Sequence, residues 1–111
     1  MNIKNKIVKI TLDSKIYSMK FDMETIANLQ AELKKKSLNY KLADIFSAVQ
    51  EQDFSVIVPL LCACIRRVHP QVSEDSIKDL LTFDNLDEII TKLVELIDAS
   101  LPKAEEDSKK K

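Results

Sequence analysis

Hydrophobic and polar positions alternate along the first part of the chain. Between Lys6 and Asp13, Ile7, Lys9 and Thr11 fall on one side and Val8, Ile10 and Leu12 on the other, predicting a strand with one mostly apolar face. Asp13-Ser14-Lys15 supplies turn formers. Alternation then resumes, with Ile16, Ser18 and Lys20 against Tyr17, Met19 and Phe21, so the two segments predict a β-hairpin. An isolated hairpin is marginal in water, and its apolar face needs cover from whatever follows.

The period changes at Asp22 from two to that of a helix. Asp22 is a suitable N-cap, with Phe21 placed to staple against Ile26. Ile26, Ala27, Leu29 and Leu33 make the apolar side of this first helix, which is expected to end near Ser37. Leu42, Ile45, Phe46 and Val49 mark a shorter second helix. In the third, Ile57, Leu60, Leu61, Cys64, Ile65 and Val68 keep the helical period throughout, marking it as the central core helix. Pro59 follows a cap at Asp53 or Ser55; it is either tolerated there, or it delays or bends the first turn. His69-Pro70 stops this helix. Ser73 caps a short fourth helix to about Leu81, with Val72 and Ile77 at staple spacing. Asp84 or Asn85 opens a fifth, whose stripe runs through Leu86, Ile89, Ile90, Leu93, Val94, Ile97 and Leu101 to a stop at Pro102. The expected fold is therefore α+β, mostly α: a hairpin and about five helices packed as a small bundle over residues 1–101. Residues 102–111, with Ala104 as their one apolar side chain after Pro102, are expected to form a disordered charged tail.

A chain of 111 residues suits one modest core. Apolar residues make up 45% and charged residues 32%, the balance of a well-solvated globular protein. Seventeen basic against 18 acidic residues leave no global field to attract nucleic acid or an anionic membrane. The longest apolar run, Val56 to Ile65, is about half a bilayer span and contains Pro59. Met1 to Lys6 leads straight into the strand pattern without the apolar stretch of a signal peptide, so cytoplasmic residence is expected. Cys62 and Cys64, two residues apart on a helix, diverge too far for a local disulfide or a shared metal ion and read as small buried hydrophobes.

Candidate chemistry is sparse. Without glycine, the chain excludes P-loops, dinucleotide fingerprints and nucleophile elbows, all of which need backbone that glycine supplies. The lone histidine, His69, stands at a helix C-terminus, where an imidazole is expected to meet the last carbonyls. Carboxylates such as Glu24, Glu32, Asp44 and Glu95 fall opposite the apolar stripes and read as solvated. These patterns predict no catalytic, cofactor or metal site. Arg66-Arg67 and Lys34-Lys35-Lys36 form two compact basic ends, which the helix dipole alone explains.

The hairpin Ile10 to Asp22 and the string Ile65-Arg66-Arg67-Val68-His69-Pro70-Gln71-Val72-Ser73 through Ile77 carry a resemblance to the tail assembly chaperones of long-tailed bacteriophages and prophages. The resemblance covers most of residues 7 to 101, although the turn here lacks the glycine common at that position. It implies a non-enzymatic, cytoplasmic protein that coats the tape-measure protein, recruits tail-tube subunits and self-associates on its partner. No partner-contacting signature carries across. The apolar side chains assigned to contact a partner are Ile3 and Ile7 at the hairpin edge and Leu96 and Leu101 on the last helix, with core or terminus as their other reading. The competing function is a small nucleic-acid-binding regulator using Arg66, Arg67 and Lys34 to Lys36.

Overall fold

The computed structural model describes residues 6–101. It is α+β and mostly α: one antiparallel hairpin followed by five helices. Strands β1 (Ile7–Leu12) and β2 (Lys15–Lys20) pair in the register Ile7↔Lys20, Ile10↔Tyr17 and Leu12↔Lys15. The two-residue turn between them places Asp13 at φ 52° and Ser14 at φ 68°, both in the left-handed region that a hairpin turn of this hand requires.

Helix α1 (Met23–Lys34) begins under Asp22, whose side chain accepts from the Thr25 backbone N–H at 3.0 Å. Its apolar side differs from the expected one at one position. Ala27 is exposed and Thr25 is fully buried, because the Thr25 hydroxyl lies 2.9 Å from Asp22 Oδ1 and 3.1 Å from the Lys20 carbonyl, which satisfies it inside. The helix stops at Lys34, short of Ser37. Ser37 then adopts φ 64°, and Leu38 donates back to the Leu33 carbonyl at 2.9 Å, a Schellman closure built without glycine.

The same closure recurs after α2 (Leu42–Gln50). Gln52 takes φ 61° and Asp53 donates to the Ala48 carbonyl at 2.8 Å, turning the chain by 111° into α3 (Phe54–Val68). Asp53 caps α3 from the Ser55 N–H at 3.1 Å, so Pro59 lies inside the helix and neither delays nor replaces its start. Ser73 caps α4 (Glu74–Lys78), which ends before the expected Leu81. A 3-10 turn at Phe83–Asn85 leads into α5 (Leu86–Ser100).

The core sits between the hairpin and the helices. Met19 of β2 faces α3, and Ile10 and Leu12 of β1 lie on the side covered by α5, while α1 and α2 close the rest of α3. Ile57, Leu60, Leu61, Cys64 and Ile65 are almost completely buried, confirming α3 as the central helix; burial of each aliphatic side chain contributes roughly 1.5–3 kcal/mol. Cys62 and Cys64 are buried free thiols. Among the described residues no single helix is long and apolar enough to cross a membrane, and the most apolar pair, α2 and α3, is sharply bent.

Candidate interaction surfaces

Three places on this fold gather the residues singled out by the sequence. The first is the junction of α1, α3 and β2. Arg67, in the last turn of α3, donates from Nε to Asp22 Oδ1 at 3.0 Å and from Nη2 to Oδ2 at 2.6 Å. Glu24 lies 3.8 Å from the same guanidinium, and Lys20 Nζ lies 3.7 Å from Asp22. The paired Arg67 guanidinium and the Thr25 donor hold the Asp22 carboxyl well below the usual carboxylate range. Arg67 is thus the clamp between the start of α1 and the end of α3, a role that last-turn dipole reasoning does not anticipate. Of the basic residues grouped by sequence, Arg67 is taken up by this pair, Lys35 meets Glu32 at 3.2 Å, and Lys34 and Lys36 are exposed.

His69 belongs to the same junction. Instead of meeting the carbonyls of its own helix, its Nε2 accepts from the Ser18 backbone N–H of β2 at 3.1 Å. Ser18 faces Lys9 across the hairpin at a position whose N–H points away from β1, so the imidazole occupies the outer edge of β2. Its ring stands edge-on to Tyr17 at 5.8 Å. A sheet-edge donor from a strand 51 positions away competes for the ring, whereas local sequence signals only the carbonyls of its own helix.

The second place is a cleft of about 460 Å³ between α1 and α3. Small residues, Ala31, Pro59, Cys62 and Ala63, lie along it, with Glu24, Glu32, Glu74 and Arg66 also lining it. Cys62 borders this cleft as an inert group, because burial pushes its thiol up to about 12. Among the described residues no cluster of three metal-ligating side chains occurs.

The third is the exposed apolar surface. Ile7 is 52% exposed and Ile16 67%, and both stand on the outer face of the hairpin; Met23 and Phe83 are 81% and 92% exposed. Of the four expected partner residues, Ile7 is available. Leu96 is fully buried, because α5 turns it with Leu93 and Ile97 into the core, and Leu101 is half-buried against that core. The expectations placed on Ile3 and on residues 102–111 lie outside the described residues. Phe83 and Met23 were not singled out by the sequence, because an isolated apolar residue at a turn or cap carries no periodic signal; Ile16 stands with Ser18 and Lys20 on the polar side of the β2 alternation, and its exposure follows from that side. No family model, no curated protein and no solved structure matches this chain.

Proposed function

We propose that this chain is a non-enzymatic assembly chaperone of the phage tail type, working in the bacterial cytoplasm. In this reading many copies bind a long helical tape-measure protein, keep its apolar segments from one another, and bring tail-tube subunits to it. The observation that supports it is the set of exposed apolar side chains Ile7, Ile16, Met23 and Phe83 on an otherwise charged, nearly neutral exterior. Such small patches suit reversible binding of apolar helices, whereas one continuous large patch would favour permanent association.

Co-expression with tape-measure fragments from the same genome tests the reading. A soluble complex that forms with the wild type and is lost with Ile16→Asp and Phe83→Ser supports it. Fragments that stay insoluble beside a soluble chaperone candidate overturn it. The nucleic-acid reading, which draws on Arg66, Arg67 and Lys34 to Lys36, predicts instead a DNA or RNA complex whose affinity falls steeply with salt.

A further inference from the structure

The two edges of the hairpin are not alike. Its two-residue turn makes Leu12 and Lys15 a bonded pair, so the ladder bonds of β1 fall at Leu12, Ile10 and Val8, and the amides and carbonyls of Ile7, Lys9 and Thr11 point outward. On β2 the outward residues are Ile16, Ser18 and Lys20. That edge is partly used inside the fold: the Ser18 N–H donates to His69, and the Lys20 carbonyl accepts from the Thr25 hydroxyl. Among the described residues, the outward backbone groups of Ile7, Lys9 and Thr11 find no hydrogen-bond partner.

An open edge is a template for another strand, and folded proteins blunt it with a bulge, a proline or a covering segment. Among the described residues β1 has none of these. Its register runs unbroken from Ile7 to Leu12, it contains no proline, and Ile7, Lys9 and Thr11 are exposed. Helix α5 lies against β1 and α3 against β2, so the helices cover the inner face of the hairpin rather than this edge.

The side chains around the edge define what fits it. A strand added there sets alternate side chains beside Ile7, Lys9 and Thr11 on the outer face, and beside Val8, Ile10 and Leu12 on the face over α5. Val8 is only partly buried against the core, so aliphatic residues suit the inner positions. Lys9, in the middle of the outer row, is exposed and takes part in no ion pair among the described residues, so an acidic residue suits the position opposite it. The same lysine disfavours a second copy as the occupant, because two β1 edges paired about Lys9 set like charges against each other.

We propose that the outer edge of β1 is a strand-addition site for an extended segment of another protein, one that alternates aliphatic with acidic or hydroxyl side chains. Main-chain hydrogen bonds to Ile7, Lys9 and Thr11 hold the segment, and Lys9 selects its charge. The site is independent of the tape-measure reading, which concerns a helical partner, and it is tested without one.

The probe is a blocked peptide of about nine residues that alternates valine with threonine and glutamate, titrated into the isotope-labelled full chain by NMR. At saturation the amides of Ile7, Lys9 and Thr11 are expected to shift and to exchange at least about tenfold more slowly, while those of Ile16, Ser18 and Lys20 stay as they were. Methylating the peptide nitrogens that face β1 should weaken binding at least about tenfold, because the side chains stay and the main-chain donors go. Lysine in place of the peptide's glutamates should weaken it about two- to fivefold, and Lys9→Glu should reverse that preference. Lys9→Pro removes one outward donor and no ladder bond, with an expected loss of about fivefold; should it unfold, the methylated peptide puts the same question to the wild type. Absence of any shift in β1 up to about 5 mM peptide, shifts at the β2 edge instead, or equal binding of the methylated peptide overturns the proposal. So does slow exchange of the three β1 amides before peptide is added, which would place the chain itself or a second copy on the edge.

Discussion

Arg67 closes α3 onto the start of α1 by gripping both carboxylate oxygens of Asp22, at 3.0 and 2.6 Å, while the same carboxylate caps α1 through the Thr25 N–H. One side chain thereby serves two elements that are 45 residues apart. Both members are about a quarter exposed, so solvent screens the pair only in part. Asp22→Ala removes the cap and strands the guanidinium, with an expected loss of about 2–3 kcal/mol in urea unfolding. Arg67→Lys keeps the charge but loses the fork, at about 1 kcal/mol. A double-mutant cycle with Asp22→Ala and Arg67→Ala should return a coupling of about 1–2 kcal/mol; additive effects would mean that the pair is incidental.

The same pair sets an acid-side pH dependence. Asp22 titrates lower in the folded chain than its ordinary 3.8, through the Arg67 hydrogen bonds first. A depressed folded-state value means stability that is present above the unfolded value and lost as pH falls through the folded one. Stability of the wild type should therefore fall as pH drops below about 4, and Asp22→Asn should flatten that part of the profile. Thermal melts between about pH 2 and pH 6 would show whether the two curves draw closer as the pH falls, as this requires.

His69→Ala leaves the Ser18 N–H without its acceptor at the outer edge of β2. The expected cost is about 1–3 kcal/mol. A more specific readout is amide exchange: the Ser18 amide should speed up more than those of Ile10 and Tyr17, which pair within the hairpin. Uniform acceleration across β2 would show that the imidazole acts only through packing on Tyr17.

Among the described residues, four non-glycine residues hold left-handed backbone: Asp13, Ser14, Ser37 and Gln52. In each case an L-residue with a Cβ pays about 1 kcal/mol that glycine avoids, offset in part by glycine's greater freedom when unfolded. Ser37→Gly and Gln52→Gly should each stabilise the fold by about 0.5–1 kcal/mol, and Ser37→Val should destabilise it by at least as much. Calorimetry with Leu33 and Ala48 closures intact would read this directly; a loss of stability in both glycine variants would reject the strain account.

Neither thiol should react in the folded protein. Burial raises Cys62 to about 12 and Cys64 further still, so the reactive thiolate is scarce near neutral pH and access is blocked as well. Labelling by a disulfide reagent should track global unfolding in a urea series. Fast labelling of Cys62 in water would reveal an opening of the α1–α3 cleft.

Much of the architecture is written in periodicity. The alternation from Ile7 to Phe21, the cap at Asp22, the unbroken stripe of α3 and the Ser73 cap all depend on neighbours within one turn or one strand pair, and local order states them fully. Helix ends were less legible. The first helix stops at Lys34 and the fourth at Lys78 because a left-handed Ser37 and a 3-10 turn compete with continuation, and neither carries a glycine to announce it.

What the sequence by itself determined is the order and type of the strands and α-helices, most of their apolar positions, and the absence of any glycine-dependent phosphate or nucleophile motif. Tertiary structure alone decided the fate of individual polar and terminal side chains. It assigned Arg67 to Asp22, His69 to the edge of β2, Thr25 to the interior and Leu96 to the core, and it left Phe83 in water. The reason is physical: the apolar period follows from helix and strand geometry a few residues at a time, whereas an ion pair, an edge hydrogen bond or a residue's burial depends on groups brought together from 45 or 51 positions away.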